Sequence, residues 1–203
     1  MCGITGIMVP SGTELNQATV RAMTAEILHR GPDGVGYYFG QTVALGHRRL
    51  SIIDIEGGAQ PMYCADRQVV LSYNGEIYNF QNLRRELEAL GHRFKSQSDT
   101  EVLLEAYLEW GQDCVTRLRG MFAFAIWDNR NHTLFLARDR LGIKPLYYSL
   151  LPDGTFLFAS ELKAILKHPN VRRKLRPDAL EDYLALGYVP DPKSIVDGVF
   201  KLS

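Results

Sequence analysis

The chain reads as an α+β protein built of stacked antiparallel sheets flanked by helices, and three observations predict it. Short runs rich in β-branched and aromatic residues recur from the first residues to the turn Pro152-Asp153-Gly154. Amphipathic helical segments are interleaved with them, without the regular strand and helix alternation that builds a parallel sheet. At 203 residues, 46% hydrophobic and 23% charged, the composition is that of a globular protein able to bury a full core.

Each element has a local cause. Residues 2–9 form a buried first strand, and Pro10-Ser11-Gly12 turns the chain. Asn16 caps a helix with Val20, Met23 and Ile27 at helical spacing, and Gly31-Pro32 ends it. Strands follow at 35–39, 43–50 and 69–73, the last closed by the turn pair Asn74-Gly75. Asn79 caps a helix with Phe80, Leu83, Leu87 and Leu90 on one face and charged residues on the other, ended by Gly91. Ser98-Asp99-Thr100-Glu101 has capping-box spacing, which opens a helix carrying Val102, Leu103, Ala106, Tyr107 and Trp110 to a stop at Gly111. Asp99 falls in its first turn. Strands at 121–127 and 133–137 flank the polar turn Asp128-Asn129-Arg130-Asn131, and two more surround Pro152-Asp153-Gly154. Helices at 161–167 and 178–186 come last, with Asp178 and Glu181 repeating the box spacing, and beyond Gly187 the prolines Pro190 and Pro192 make the chain irregular.

Composition excludes several classes of function. Lys plus Arg and Asp plus Glu both total 23, so there is no electrostatic footprint for nucleic acid or an anionic membrane. The three cysteines, Cys2, Cys64 and Cys114, form no CxxC pair, and their odd number leaves a thiol free, which fits a reducing, cytoplasmic compartment. No apolar run approaches the ~18 residues of a membrane span, and the first residues lack the pattern of a signal peptide. The five histidines make no metal-binding spacing, so no metal is expected.

Chemistry concentrates elsewhere. Removal of Met1 would leave Cys2 with a thiol and a free α-amine on one residue, a nucleophile beside a base whose pKa of roughly 7.7–8.0 suits proton transfer near neutrality. The alternative is a small buried hydrophobe on the first strand. An amide-cleaving cysteine needs oxyanion donors, and Asn74 and Gly75 supply a side-chain amide and a backbone N–H, although Asn-Gly is also the commonest hairpin turn. Recognition of a free amino acid needs a cation and an anion. Arg49 and Asp99 offer these charges. Gly34-Val35-Gly36 leads into a strand and lacks GxGxxG, which excludes a phosphate loop, and no GxSxG elbow is present.

These residues belong to longer stretches: Met1-Cys2-Gly3-Ile4, His29-Arg30-Gly31-Pro32-Asp33, His47-Arg48-Arg49-Leu50-Ser51-Ile52-Ile53-Asp54, Gln60-Pro61, Asn74-Gly75-Glu76-Ile77-Tyr78-Asn79, Ser98-Asp99-Thr100-Glu101, Arg138-Asp139-Arg140-Leu141-Gly142-Ile143-Lys144-Pro145-Leu146-Tyr147-Tyr148 and Ser160-Glu161-Leu162-Lys163-Ala164-Ile165. In this order they resemble the class II glutamine amidotransferase domain, in particular the N-terminal glutaminase half of glutamine-dependent asparagine synthetases. The resemblance implies the N-terminal nucleophile hydrolase fold, a four-layer αββα sandwich of two antiparallel sheets between helices. It also implies loss of Met1, attack of Cys2 on the glutamine side-chain amide, and a γ-glutamyl thioester with release of ammonia. Asn74 and Gly75 would hold the oxyanion, Arg49 the substrate carboxylate, and Asp99 and Glu76 its ammonium, with Leu50, Ser51, Ile52 and Ile53 lining the pocket.

By the same resemblance, residues 1–186 form the glutaminase domain and 187–203 cross toward a C-terminal synthetase domain absent from this chain. That domain would be the partner within a longer chain, with ATP and Mg bound there and no cofactor in the glutaminase half; a homodimer is compatible with this. Two alternatives stand beside this reading: the same glutaminase feeding another acceptor, as in exopolysaccharide- or protein-sorting-associated relatives, and a catalytically silent glutamine-binding regulatory module. The intact set Cys2, Arg49, Asn74, Gly75 and Asp99 weighs against the silent module.

Overall fold

Side-chain alternation along the strands decides which layer each residue enters. In the computed structural model, which describes residues 1–51 and 58–203, the strands are β1 (Gly3–Met8), β2 (Gly34–Phe39), β3 (Val43–Arg49), β4 (Met62–Tyr63), β5 (Val69–Ile77), β6 (Gly120–Asp128), β7 (Thr133–Arg138), β8 (Tyr147–Leu150), β9 (Phe156–Ala159) and β10 (Phe200–Lys201). The helices are α1 (Gln17–Glu26), α2 (Phe80–Ala89), α3 (Asp99–Trp110), α4 (Cys114–Arg117), α5 (Leu162–Ile165) and α6 (Pro177–Leu186). One sheet has the order β10-β8-β9-β1-β3-β2 and the other β4-β5-β6-β7. All pairings within them are antiparallel.

Three apolar clusters fill the spaces between layers. Val20, Met23 and Ile27 of the α1 region and Ala164 and Ile165 of α5 pack on Ile7, Ala44 and Leu157 of the larger sheet. Leu83 and Leu87 of α2 and Val102, Leu103 and Ala106 of α3 pack on Val69, Leu71 and Phe124 of the smaller one. Between the sheets lie Ile4, Val43, Leu45, Val70, Ala123, Ala125 and Phe158, the opposite parity of the same strands. The result is an αββα sandwich, as the resemblance implies.

Several local expectations change. Asn74 and Gly75 are not a turn: β5 runs through them to Ile77, pairing Asn74 with Ala123 and Gly75 with Phe122. The long partner strand β6 overrides the local Asn-Gly signal. Asn79 precedes α2 but does not cap it, because its side chain donates to Arg117 O at 3.0 Å and accepts from Arg119 N at 2.9 Å. Ser98 does cap α3, accepting from Glu101 N, whereas the Glu101 carboxylate turns instead to the N–H groups of Lys95 and Ser96. Asp178 caps nothing; α6 starts at Pro177 after Arg176. Asn16 caps α1 as expected, through Thr19 N at 3.2 Å. The strands β4 and β10 are two residues each, too short to show a period. Residues 187–203 pack on the sandwich: β10 pairs with β8, and Val196 and Val199 are buried beside Ile7 and Ala44. Among the described residues no helix is long and apolar enough to cross a membrane.

Candidate active site

Strand register gathers the candidate residues at one end of the sandwich. Gly3 pairs with Arg48, so the antiparallel register sets Cys2 opposite Arg49. Cys2 shares the parity of Ile4, and Arg49 that of Leu45, both on the face between the sheets. On the other sheet Asn74 shares the parity of Val70 and Ser72, and His47 Nδ1 bridges the gap to Ser72 Oγ at 3.2 Å. Arg49 and Asn74 thus approach Cys2 from opposite sheets. One cavity is lined by Cys2, Arg49, Leu50, Asn74, Gly75, Glu76 and Asp99, together with Met1, Gln60, Tyr73, Ser98, Thr100, Met121 and Lys144. Ser51, expected in the lining, is not part of it; its N–H donates to Asp33 Oδ2 at 2.8 Å. Ile52 and Ile53 lie outside the described residues.

The half-buried Cys2 thiol donates to Leu50 O at 3.6 Å and accepts from Leu50 N at 3.4 Å. Its carbonyl oxygen accepts from Arg30 Nε at 2.9 Å, and Arg30 Nη1 donates to Glu161 at 3.1 Å. Arg30 is only 8% exposed and grips the backbone of Cys2 from behind. This contact involves a side chain and a distant carbonyl, so no sequence spacing reveals it.

Asn74 and Gly75 line the same cavity as Cys2, and each carries a hydrogen-bond donor. Asn74 is 1% exposed and its Nδ2 has no hydrogen-bond partner among the described residues. Gly75 contributes its N–H, and the direction of that N–H follows from the ladder. Phe122 exchanges hydrogen bonds with Asp139 on the β7 side, accepting from its N–H and donating to its carboxylate, so Ala123 turns toward β5 and bonds Asn74. Tyr73, Gly75 and Ile77 therefore point away from β6. Tyr73 N donates to Gln60 Oε1 at 2.7 Å and Ile77 N to Asp99 Oδ2 at 3.0 Å, leaving the Gly75 N–H between these two side-chain caps. Only glycine fits there, since a Cβ would stand 2.4 Å from Met121 O and 2.8 Å from Phe122 Cα.

Asp99, 5% exposed in the first turn of α3, is fixed by the Tyr73 hydroxyl at 2.7 Å and by Ile77 N. Burial raises its pKa despite these donors, and the Glu76 charge adds to the rise. Burial and the neighbouring Asp99 lift the Tyr73 hydroxyl well above its ordinary range, so it remains a donor. His47 is fully buried, and that burial, reinforced by Arg49, lowers its pKa to about 3 and keeps it neutral. No group of three or more His, Cys, Asp or Glu able to hold a metal occurs among the described residues. Gln60 and Lys144 lie within the motifs quoted above, but their contribution to the cavity depends on folding across the two sheets.

The sandwich is shared with a solved structure: the glutamine phosphoribosylpyrophosphate amidotransferase of B. subtilis superposes with a TM-score of 0.69 at 23% identity, over 87% of this chain and 46% of that one, a likeness of fold. The glutamine amidotransferase domain matches residues 1–203, and the chain belongs to that family. It is 46% identical to asparagine synthetase [glutamine-hydrolyzing] 3 of Bacillus subtilis over 99% of this chain, and 41% identical to putative asparagine synthetase [glutamine-hydrolyzing] 2 of Methanocaldococcus jannaschii over its whole length. The chain spans 33% and 42% of the lengths of these relatives.

Proposed function

We propose that this chain hydrolyses the side-chain amide of glutamine on Cys2 and delivers the ammonia to an ATP-dependent synthetase domain of the asparagine-forming type. Residues 1–186 are the glutaminase unit in this reading, and 187–203 lead toward the synthetase domain, where ATP and Mg bind. Met1 is removed, since its side chain occupies the cavity and its acyl group would block the amine. The Cys2 α-amine takes the thiol proton, and the sulfur attacks the glutamine Cδ. The oxyanion is received by Asn74 Nδ2 and Gly75 N–H. Collapse breaks the C–N bond as the α-ammonium gives its proton to the leaving nitrogen, releasing ammonia and leaving the thioester. Water, deprotonated by the same amine, then frees glutamate and restores the thiol. Arg49 holds the substrate carboxylate, Asp99 and Glu76 its ammonium, and Arg30 positions the nucleophile by its carbonyl.

The observation that carries the reading is Asn74 Nδ2, a buried donor with no partner among the described residues, on a residue that lines the cavity together with Cys2. The relatives' names support the asparagine-type acceptor. Cys2→Ala should abolish glutamate release while preserving the circular-dichroism spectrum. Cys64→Ala and Cys114→Ala should hydrolyse glutamine normally. Loss of activity in a folded Cys64 or Cys114 variant would overturn the assignment.

A further inference from the structure

Lys144 is a buried cation that the scheme above leaves without a task. It is 5% exposed, lines the cavity, and the only partner its ammonium finds among the described residues is Met1 Sδ, at 3.3 Å. A thioether is a weak acceptor, and a buried ammonium without a carboxylate is costly to retain. The backbone nevertheless holds this residue firmly. Asp139 accepts from the N–H groups of Leu141, Ile143 and Lys144, while Arg138 donates to the carbonyls of Gly142 and Lys144. The Arg138 and Asp139 side chains are thereby engaged with backbone, and Lys144 alone of this loop's charges enters the cavity. Its contact is with the residue attached to the Cys2 nitrogen.

We propose that Lys144 is a positioning residue that keeps the Cys2 α-amine in its neutral, proton-accepting form once Met1 has gone. This rests on the glutaminase reading and deepens it. A fixed positive charge beside an amine disfavours the ammonium, so the base is free at a lower pH than an isolated α-amine. Among the described residues, the other charges that face this space are Arg49 of β3, Glu76 of β5 and Asp99 of α3, with Tyr73 held neutral and Arg30 on the Cys2 carbonyl. Glu76 and Asp99 act in the opposite sense to Lys144; when glutamine is bound, its ammonium pairs with these carboxylates and its carboxylate with Arg49. Lys144 is then the charge at the amine that has no substrate partner.

The test uses Lys144→Gln and Lys144→Arg in the mature chain, with two titrations. One is kcat/KM for glutamine hydrolysis across the neutral range; the other is the nitrogen-15 chemical shift of the Cys2 α-nitrogen, which reads the amine without turnover. Lys144→Gln should move the acid limb of the rate profile and the midpoint of the chemical-shift titration up together by about one pH unit. The rate should rejoin the parent's on the alkaline side, and Lys144→Arg should restore both midpoints. An unmoved midpoint with a uniformly lower rate, or a change in KM alone, would overturn the proposal. If the glutaminase reading itself is wrong, Cys2→Ala stays active, while the chemical-shift titration still reports on Lys144.

Discussion

Asn74 has a buried side-chain donor without a partner among the described residues, an arrangement that costs about 1–3 kcal/mol in an ordinary core. In the proposed reaction, the oxyanion that forms only in the transition state recovers that cost. Asn74→Ala should therefore lower kcat by roughly 10²–10³ with little change in KM, as measured by steady-state glutamate release. A change confined to KM would make Asn74 an ordinary binding residue. The identities of Cys2, Arg49, Asn74 and Asp99 are legible as residue types, because each supplies a group the chemistry requires. Arg30 and Lys144 are not, since their contacts run to a carbonyl and to a neighbouring terminus that only the folded chain brings near.

At the scale of elements, β5 carries both proposed oxyanion donors because it continues past Tyr73. The apolar runs and helix faces identify most strands and helices, whereas Asn74-Gly75 carries the local signal of a turn and the nine-residue strand prevails through its pairing with β6. Gly75→Ala forces a methyl against Met121 O and Phe122 Cα, so it should destabilise the protein by about 1–3 kcal/mol in urea unfolding and also impair turnover. Unchanged stability would mean that β5 and β6 are less closely apposed than described.

Just after α2, His92 meets Glu105 at 2.7 Å and Glu109 at 2.8 Å on α3. Burial lowers its pKa, but Glu109 and Glu105 outweigh burial and raise it. The contribution of this cation is full below the unfolded histidine pKa near 6.5 and is lost as pH rises through the higher folded value. His92→Asn should flatten that part of the stability profile, read as the pH dependence of the urea midpoint. An identical slope in parent and variant would remove His92 from the account.

Over the whole molecule, the two-sheet architecture follows from the spacing and parity of apolar residues, and the same parity turns Cys2, Arg49 and Asn74 toward the gap between the sheets. Sheet order is not legible in this way: β1 lies between β3 and β9, strands from distant parts of the sequence. That pairing buries the beginning of the chain at the centre of the larger sheet, with Cys2 at the cavity. Cys2 is the proposed nucleophile of a chain that has lost Met1. The most direct measurement is intact mass and peptide mapping after reaction with a chloroketone analogue of glutamine. One adduct, on Cys2 of chains lacking Met1 and suppressed by glutamine, is the predicted result. An adduct on Cys64 or Cys114 that abolishes activity, or full glutamine hydrolysis by chains that retain Met1, would contradict it.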